Sequence, residues 1–249
     1  MTVASPRDVS GEVIHVPSDA LPYILFQRTA YLRLPQSRAF QILDRLLPID
    51  LYGRVVALES RVRSSEIGRL YQDDIFREYE SLRPHLPPAP SSVLDIGCGV
   101  AGIDALLYAH YRDRSPEIHL LDKTAVEDRV FYQFEAKGAF YNSLEIARTT
   151  LESSGVPAER VATHEATEDN RIPLADGSVD LMLSLISWGF HYPVSTYLDE
   201  AERVLRPGGR LILDVRRGTS GKVELEGRFR SVAVARDEPK FERLVLAKP

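Results

Sequence analysis

The sequence predicts an α/β fold, in which a mostly parallel sheet of seven strands is flanked by helices and preceded by an N-terminal helical cap. From residue 92 onward, short apolar runs alternate with amphipathic stretches, which is typical of parallel strands joined by right-handed crossovers. Just before them, four prolines within residues 84–90 forbid a continuous helix. We therefore expect a boundary there, with residues 1–88 forming the cap and residues 89–249 the α/β domain.

The cap is predicted from apolar residues at helical spacing over residues 19–83. Ser37–Leu47 is one amphipathic run, and Ser37 is a suitable N-cap residue. Ser65–Tyr79 is a second run, whose apolar side chains fall roughly on one face.

The α/β part is predicted to contain five parallel strands and a closing hairpin. The predicted parallel strands are Ser92–Ile96, Glu117–Leu121, Val161–His164, Val179–Ile186 and Arg210–Val215. The predicted helices are Gly102–Tyr111, Tyr141–Leu151 and Val194–Leu205, the last one ended by Pro207-Gly208-Gly209. Arg228–Val234 and Phe241–Ala247 are predicted to pair as the antiparallel hairpin.

Composition and charge exclude several classes of protein. Of 249 residues, 44% are hydrophobic and 27% charged, as in globular proteins. The net charge of −5 disfavours nucleic acid as a partner, because phosphate binding needs a basic surface. The longest stretch without a formal charge, Leu181–Leu198, includes Trp188, His191 and Pro193 and is unsuited to span a membrane.

The N-terminus and the cysteine count also disfavour a secreted, disulfide-bonded or zinc-binding protein. The first residues lack the apolar segment of a secretory signal. Cys98 is the one cysteine, so neither an internal disulfide nor a cysteine-rich zinc site can form. No compact cluster of metal ligands is visible in the sequence. We therefore expect a cytoplasmic protein with no membrane partner and no metal.

A glycine-rich turn follows the first predicted strand, at the edge where open α/β sheets bind ligands. Gly97, Gly99 and Gly102 fit the spacing G-x-G-x-x-G, which alone would suggest a dinucleotide. Two residues before Gly97, Asp95 adds a carboxylate, which would repel a pyrophosphate but not a cationic ligand. Alternatively, the amides of the turn satisfy this carboxylate.

A second acid lies at the end of the second predicted strand. Asp122 comes about twenty residues after Gly102, where a carboxylate can accept both hydroxyls of a ribose. It indicates a nucleoside, and it does not distinguish a dinucleotide from another nucleoside cofactor.

Four segments, in this order along the chain, resemble the class I S-adenosylmethionine-dependent methyltransferases. The resemblance is to a methyltransferase domain of type 11 or type 25. The segments are Val93–Gly102, Leu121–Asp122, Ile172–Asp180 and Glu200–Gly209. The resemblance spans about residues 90 to 215 and implies a Rossmann-like sheet with S-adenosylmethionine as the cofactor. There are two departures from the pattern: Ala101 stands where the family has a third glycine, and the connection from Asp122 to the helix at Tyr141 is longer than usual.

The resemblance also implies which residues bind the cofactor. They are Asp95, Gly97, Cys98 and Gly99 in the turn, Asp122 and Lys123 after the second strand, Glu168 or Asp169 after the third, and Ser184 at the end of the fourth. By this resemblance, the turn holds the methionine end of the cofactor and Asp122 binds the ribose. Glu168 or Asp169 binds the adenine amine. Residues 184–187 then border the sulfonium.

The methyl acceptor is predicted from the residues after the fourth strand. Methyl transfer needs alignment and often a base, because the acceptor loses a proton. His191 titrates near neutrality and suits a hydroxyl acceptor, although a packed or helix-capping histidine is the alternative. Aromatic residues within residues 123–140 predict a lid that encloses a small molecule, or a loop packed on the sheet edge. Signatures of nucleic-acid methylation are absent from the sequence.

We therefore expect a methyltransferase that acts on a small-molecule substrate, with a hydroxyl oxygen of a sugar or secondary metabolite as the acceptor. A non-catalytic, methyltransferase-like binding protein stays open as an alternative. A NAD(P)-dependent oxidoreductase also stays open, since the glycine spacing allows it, but Asp95 disfavours it.

Overall fold

The computed structural model describes residues 9–33, 51–126 and 141–249 of the chain. Its strands are β1 Ser92–Ile96, β2 Glu117–Asp122, β3 Ala125–Val126, β4 Tyr141–Asn142, β5 Val161–Glu165, β6 Val179–Ser184, β7 Ser187–Tyr192, β8 Leu205–Arg216, β9 Arg230–Asp237 and β10 Phe241–Ala247. Its α-helices are α1 Leu21–Gln27, α2 Leu51–Val62, α3 Ser64–Leu82, α4 Gly102–His110, α5 Leu144–Ser153, α6 Leu198–Val204 and α7 Gly221–Glu226.

Seven strands form the central sheet in the order β5-β2-β1-β6-β8-β10-β9. The first five are parallel, and β10 is antiparallel to both β8 and β9. The predicted fold, including the closing hairpin, is thus confirmed. Every residue of β1 and β6 is buried, as expected for central strands of a sheet covered on both faces. Between β1 and β6 the strand order reverses direction, and open sheets bind ligands at such a point.

The N-terminal helices form a layer over one face of the sheet. In α3 the buried side chains recur every three or four residues, as in an amphipathic helix; they are Ile67, Tyr71, Ile75, Tyr79 and Leu82. They belong to the same hydrophobic cluster as Val93 and Leu120 of the sheet. The predicted helix Ser37–Leu47 lies outside the described residues. No described helix has the length and apolarity needed to cross a membrane.

Several element boundaries differ from the predictions. The helix expected from Tyr141 begins at Leu144, because the Ser143 hydroxyl accepts a hydrogen bond from the Ile146 amide (3.4 Å) and caps it. Residues 141–142 instead pair with β3. Most of the predicted lid, residues 127–140, lies outside the described part of the chain.

The second half of the sheet departs from the predictions at two turns. The strand expected to reach Ile186 ends at Ser184, and the unpredicted β7 follows. The strand expected from Arg210 begins at Leu205 instead, so residues 207–209 belong to β8 and do not form a separate turn. The chain bends there without leaving the sheet: Gly208 has φ 75°, and the pairing of β8 with β6 shifts its register. The helix expected over Val194–Leu205 starts with a 3-10 turn and becomes α-helical at Leu198.

The sheet ends at β9, which is an edge strand. Its pairing with β10 is interrupted by two register shifts, and the side chains of Val232 and Val234 are exposed.

Candidate functional site

A cleft opens at the carboxyl ends of β1 and β2, next to the point between β1 and β6 where the strand order reverses. It holds about 620 Å³ of space and is open to solvent. Ile96, Leu121 and Ala166 supply apolar wall, and Asp122 and Glu168 supply carboxylates. A nucleoside, which has an apolar base and a polar sugar, matches this distribution.

The glycine turn forms one wall of the cleft. Gly97 has φ 80°, and its amide donates to the carbonyl of Leu121 (2.7 Å). A Cβ atom at this position would lie 1.9 Å from Oγ of Ser187, so only glycine fits. Ala101, at the position of the third glycine, adopts the left-handed conformation itself, with φ 58°. The turn thus keeps its shape despite the departure seen in the sequence, at a cost in backbone strain.

Asp122 joins the glycine turn to the end of β2. Its Oδ2 accepts a hydrogen bond from the Gly99 amide (2.9 Å), and its Oδ1 accepts one from the Lys123 amide (2.7 Å). Burial raises the pKa of Asp122 to about 6, while the two amides act in the opposite direction. The carboxylate is therefore ionised at neutral pH, and each oxygen keeps a lone pair for a ligand hydroxyl. Both Asp122 and Lys123 line the cleft.

Beneath the turn lies a pair of buried carboxyl groups, Asp95 of β1 and Asp104 of α4. Oδ1 of Asp95 and both carboxyl oxygens of Asp104 have no hydrogen-bond partner among the described residues. The amides of the turn therefore do not satisfy Oδ1 of Asp95. Burial raises the pKa of Asp104 to about 7, and burial and the neighbouring Asp104 raise that of Asp95 well above its usual range. Two such groups cannot both be charged, so the pair holds a proton.

The second acid of this pair was missed in the sequence. Asp104 is fully buried, on a short helix whose first seven residues are all buried. An acid among apolar residues of a core helix is the signal that could have indicated it.

Cys98 lies within the turn as a buried thiol. Its Sγ is 3.9 Å from Oδ2 of Asp122 and 3.8 Å from Nδ2 of Asn142. Burial and the neighbouring carboxylates raise the pKa of Cys98 well above its usual range. The thiol therefore stays protonated and is unsuited to act as a nucleophile.

The two acids predicted after the third strand occupy different positions. Glu168 lines the cleft. The carboxylate of Asp169 accepts hydrogen bonds from the Thr167 hydroxyl and the Arg171 amide within its own turn, and these lower its pKa. Of the two alternatives, the geometry favours Glu168 as the acid that faces a ligand.

Ser184 does not face the cleft. It is fully buried, and its hydroxyl donates to the carbonyl of Ile96 (2.7 Å) and accepts from the amide of Trp188 (2.9 Å). It therefore fastens the end of β6 to β1. Ser187, three residues later, lines the cleft instead.

His191 lies on β7, outside the residues that line the cleft. It is exposed, and its ring packs edge-on against Phe190, with 5.0 Å between the ring centroids. Partial burial of the ring and the neighbouring Arg216 lower the pKa of His191 below its usual value. The imidazole is therefore neutral at pH 7 and able to accept a proton.

Further cleft residues were not predicted. They are Thr167, Asn170, Thr196 and Tyr197. All of them follow the third strand or β7, at the same edge of the sheet as the predicted residues. A polar or aromatic residue at a strand exit is the signal that could have indicated them.

The N-terminal helices also reach the turn. The hydroxyl of Tyr71 in α3 accepts a hydrogen bond from the Gly102 amide (3.2 Å). A Cβ atom added to Gly99 would lie 2.9 Å from Oε1 of Gln27, so this side chain covers the turn from α1. Within the described ranges, no three His, Cys, Asp or Glu side chains come together as a set that could hold a metal.

Known proteins are similar to this chain in sequence and in fold. Residues 94–213 match the family model described as a methyltransferase domain. The solved structure of the PH0226 protein from Pyrococcus horikoshii OT3 is similar, with a TM-score of 0.50 at 16% identity over 70% of this chain and 91% of that one. A SAM-dependent methyltransferase from Aquifex aeolicus is similar with a TM-score of 0.49 at 16% identity, over 71% of this chain and 89% of that one. No curated protein sequence matches this chain.

The matched segment contains nearly the whole candidate site. The glycine turn, Asp122, Lys123 and Glu168 all fall between residues 94 and 213. The similarity to the Pyrococcus structure shows that the fold is shared. The N-terminal helices, with Gln27 and Tyr71, lie outside the matched segment.

Proposed function

Because residues 94–213 match a methyltransferase domain, we propose that the chain is a class I S-adenosylmethionine-dependent methyltransferase whose cleft binds S-adenosylmethionine for methyl transfer. When bound, this cofactor supplies an electrophilic methyl group on a cationic sulfur. The observation that carries the proposal is Asp122, whose ionised carboxylate lines the cleft while it anchors the glycine turn.

The charges of the site suit this cofactor better than a dinucleotide. Beneath the turn, the carboxyl groups of Asp95 and Asp104 have oxygens without partners in the described part of the chain. An ammonium group near them would gain attraction, whereas a pyrophosphate would be repelled. This supports S-adenosylmethionine over NAD(P), the alternative that the glycine spacing allows.

Each cleft residue takes a role in this proposal. Asp122 accepts the ribose hydroxyls, and Glu168 accepts the adenine amine. Ile96 and Leu121 pack against the adenine ring. Ser187 lies against Gly97, at the turn that would hold the methionine end.

We further propose that the acceptor is a hydroxyl group of a small molecule. The support is that β7 brings the hydroxyl-bearing Tyr192 to the cleft. His191, the residue before it, does not line the cleft, but its neutral imidazole would take the proton that the hydroxyl loses if the acceptor reached it. A non-catalytic binding protein is the competing function, and it predicts cofactor binding without turnover.

Calorimetric titration with S-adenosylmethionine, S-adenosylhomocysteine and NAD(H) tests the cofactor. We expect micromolar binding of the two sulfur compounds and none of NAD(H). Asp122→Asn should weaken binding roughly 10- to 100-fold, because it removes a charged hydrogen-bond acceptor. Asp169→Asn is the matched control, since that carboxylate is engaged in its own turn, and it should leave the affinity unchanged. Binding of NAD(H) alone would overturn the proposal.

Turnover is tested separately with a labelled methyl donor and a panel of hydroxylated small molecules. Transfer of label to a hydroxyl supports the acceptor class. Label on a nitrogen or carbon atom contradicts it, and cofactor binding without any transfer favours the non-catalytic function.

A further inference from the structure

The turn between β6 and β7 holds a strained residue beside the cleft. Ile186 has φ 51°, a left-handed conformation that is rare for a β-branched residue and costs free energy. The next residue, Ser187, lines the cleft and lies against Gly97. Such strain persists only where the surrounding structure enforces it.

The carboxylate of Asp214 provides that enforcement. Its Oδ2 accepts a hydrogen bond from the amide of Ile186 (3.1 Å). Asp214 is fully buried on β8, and its main-chain carbonyl lies 2.9 Å from where a Cβ atom on Gly189 would be. The turn is thus held against β8 on both sides of Ser187.

Asp214 is itself held by Arg243, its partner across the β8–β10 pair. The guanidinium donates from Nε to Oδ1 and from Nη2 to Oδ2, at 2.7 Å each. Its Nη1 donates to Glu78 (2.6 Å) and Ser81 (2.7 Å) of α3. Arg243 is fully buried, so this fork gives the carboxylate one orientation.

We propose that Asp214 is a positioning residue for the cofactor site, which acts through the Ile186 amide to hold Ser187 against the glycine turn. The proposal rests on the proposed cofactor function of that turn. Arg243 and Glu78 extend the effect to α3, so that the N-terminal helices and the cleft share one hydrogen-bonded chain. In Asp214→Asn, one of the two acceptor oxygens becomes a donor and the charge is lost, so the side chain can no longer accept from both Nε and Nη2 of Arg243 and loses its fixed orientation toward the Ile186 amide.

A double-mutant cycle tests this proposal. Asp214→Asn should weaken S-adenosylhomocysteine binding about tenfold, because the ligand must then restore the left-handed turn. Glycine adopts positive φ freely, so in the Ile186→Gly background the same Asp214→Asn change should weaken binding only about twofold. Asp214→Asn should also lower the melting temperature, and the added Ile186→Gly change should not restore it. An unchanged affinity for Asp214→Asn, or an equal loss in both backgrounds, would overturn the proposal.

A second pair of variants serves if Asp214→Asn does not fold. Arg243→Lys keeps the charge but loses the fork, and it should weaken binding severalfold. Arg63→Lys is its matched control, because Arg63 also binds two carboxylates, Glu59 and Glu66, within the N-terminal helices. Arg63→Lys should lower the melting temperature only. An equal loss of affinity in both lysine variants would refute a positioning role.

Fluorescence separates this proposal from the proposed function. Trp188 is the sole tryptophan of the chain and is fully buried; its amide and its indole N–H donate to Ser184 and Val194. Loosening of the turn should shift its emission to the red in Asp214→Asn, and Ile186→Gly should reverse that shift. This readout needs no ligand, so it holds even if the wild-type protein binds neither sulfur compound. Unchanged emission in Asp214→Asn would overturn the positioning role.

Discussion

The buried carboxyl pair beneath the glycine turn predicts a pH-dependent stability, and one substitution should remove the part that Asp104 contributes. In the folded protein the pKa of Asp104 is about 7, against 3.8 for an ordinary aspartate. Between these two pH values the folded state holds a proton that the unfolded state releases. The free energy of unfolding therefore falls as pH rises through this window, and the part of the penalty that comes from Asp104 is complete above pH 7.

The size of the effect follows from the two pKa values. Their difference corresponds to about 4 kcal/mol at high pH, since each pH unit contributes about 1.4 kcal/mol. Between pH 5 and pH 8.5 the change is about 3 kcal/mol by the same relation. The amide introduced by Asp104→Asn would resemble the protonated acid in shape and could not ionise. The free energy of unfolding of this variant, taken relative to wild type, should therefore be about 3 kcal/mol higher at pH 8.5 than at pH 5.

Urea denaturation followed by circular dichroism at pH 5 and pH 8.5 measures this change. Asp73→Asn is the matched control, because Asp73 is exposed on α3 and undergoes the same chemical change. Its effect on stability should be the same at both pH values. If Asp104→Asn alters stability equally at both pH values, the carboxyl is not a buried acid that shares a proton with Asp95.

Three further predictions concern the turn and the acceptor side. Gly97→Ala should abolish S-adenosylhomocysteine binding in calorimetry while the circular dichroism spectrum stays native, because the added Cβ would collide with Ser187; retained affinity would contradict that contact. Ala101→Gly should raise the free energy of unfolding in urea by about 1 kcal/mol, because it relieves a left-handed alanine, and no gain would show the turn to be unstrained. His191→Ala should lower kcat roughly 100-fold without weakening cofactor binding, whereas full turnover would make His191 a packing residue.

The fold could be predicted because local patterns and tertiary structure agree in the sheet. β1 and β6 are short, mainly apolar runs that are buried throughout, and such runs are typical of buried parallel strands. The glycine turn and Asp122 were predictable for a similar reason, since both lie directly at strand ends, where the sheet order alone brings them together.

The rest of the site depends on contacts that no local pattern shows. A β-branched residue such as Ile186 disfavours positive φ, so nothing in the sequence marks the turn that ends β6 at Ser184. That turn moves Ser187 into the cleft in place of Ser184. Gln27 reaches the glycine turn only because α1 packs over it, and Asp104 gains its proton only from burial beside Asp95.

The edge strand β9 has a consequence for how copies of this chain behave in concentrated solution. The backbone N–H and C=O groups on its outer side can pair with a strand of another molecule. The exposed side chains of Val232 and Val234 make such pairing more favourable. The two register shifts against β10 act against this, because bulges twist an edge and break the regular spacing that a foreign strand would need. Irregular pairing within the native sheet thereby protects the protein from edge-to-edge aggregation.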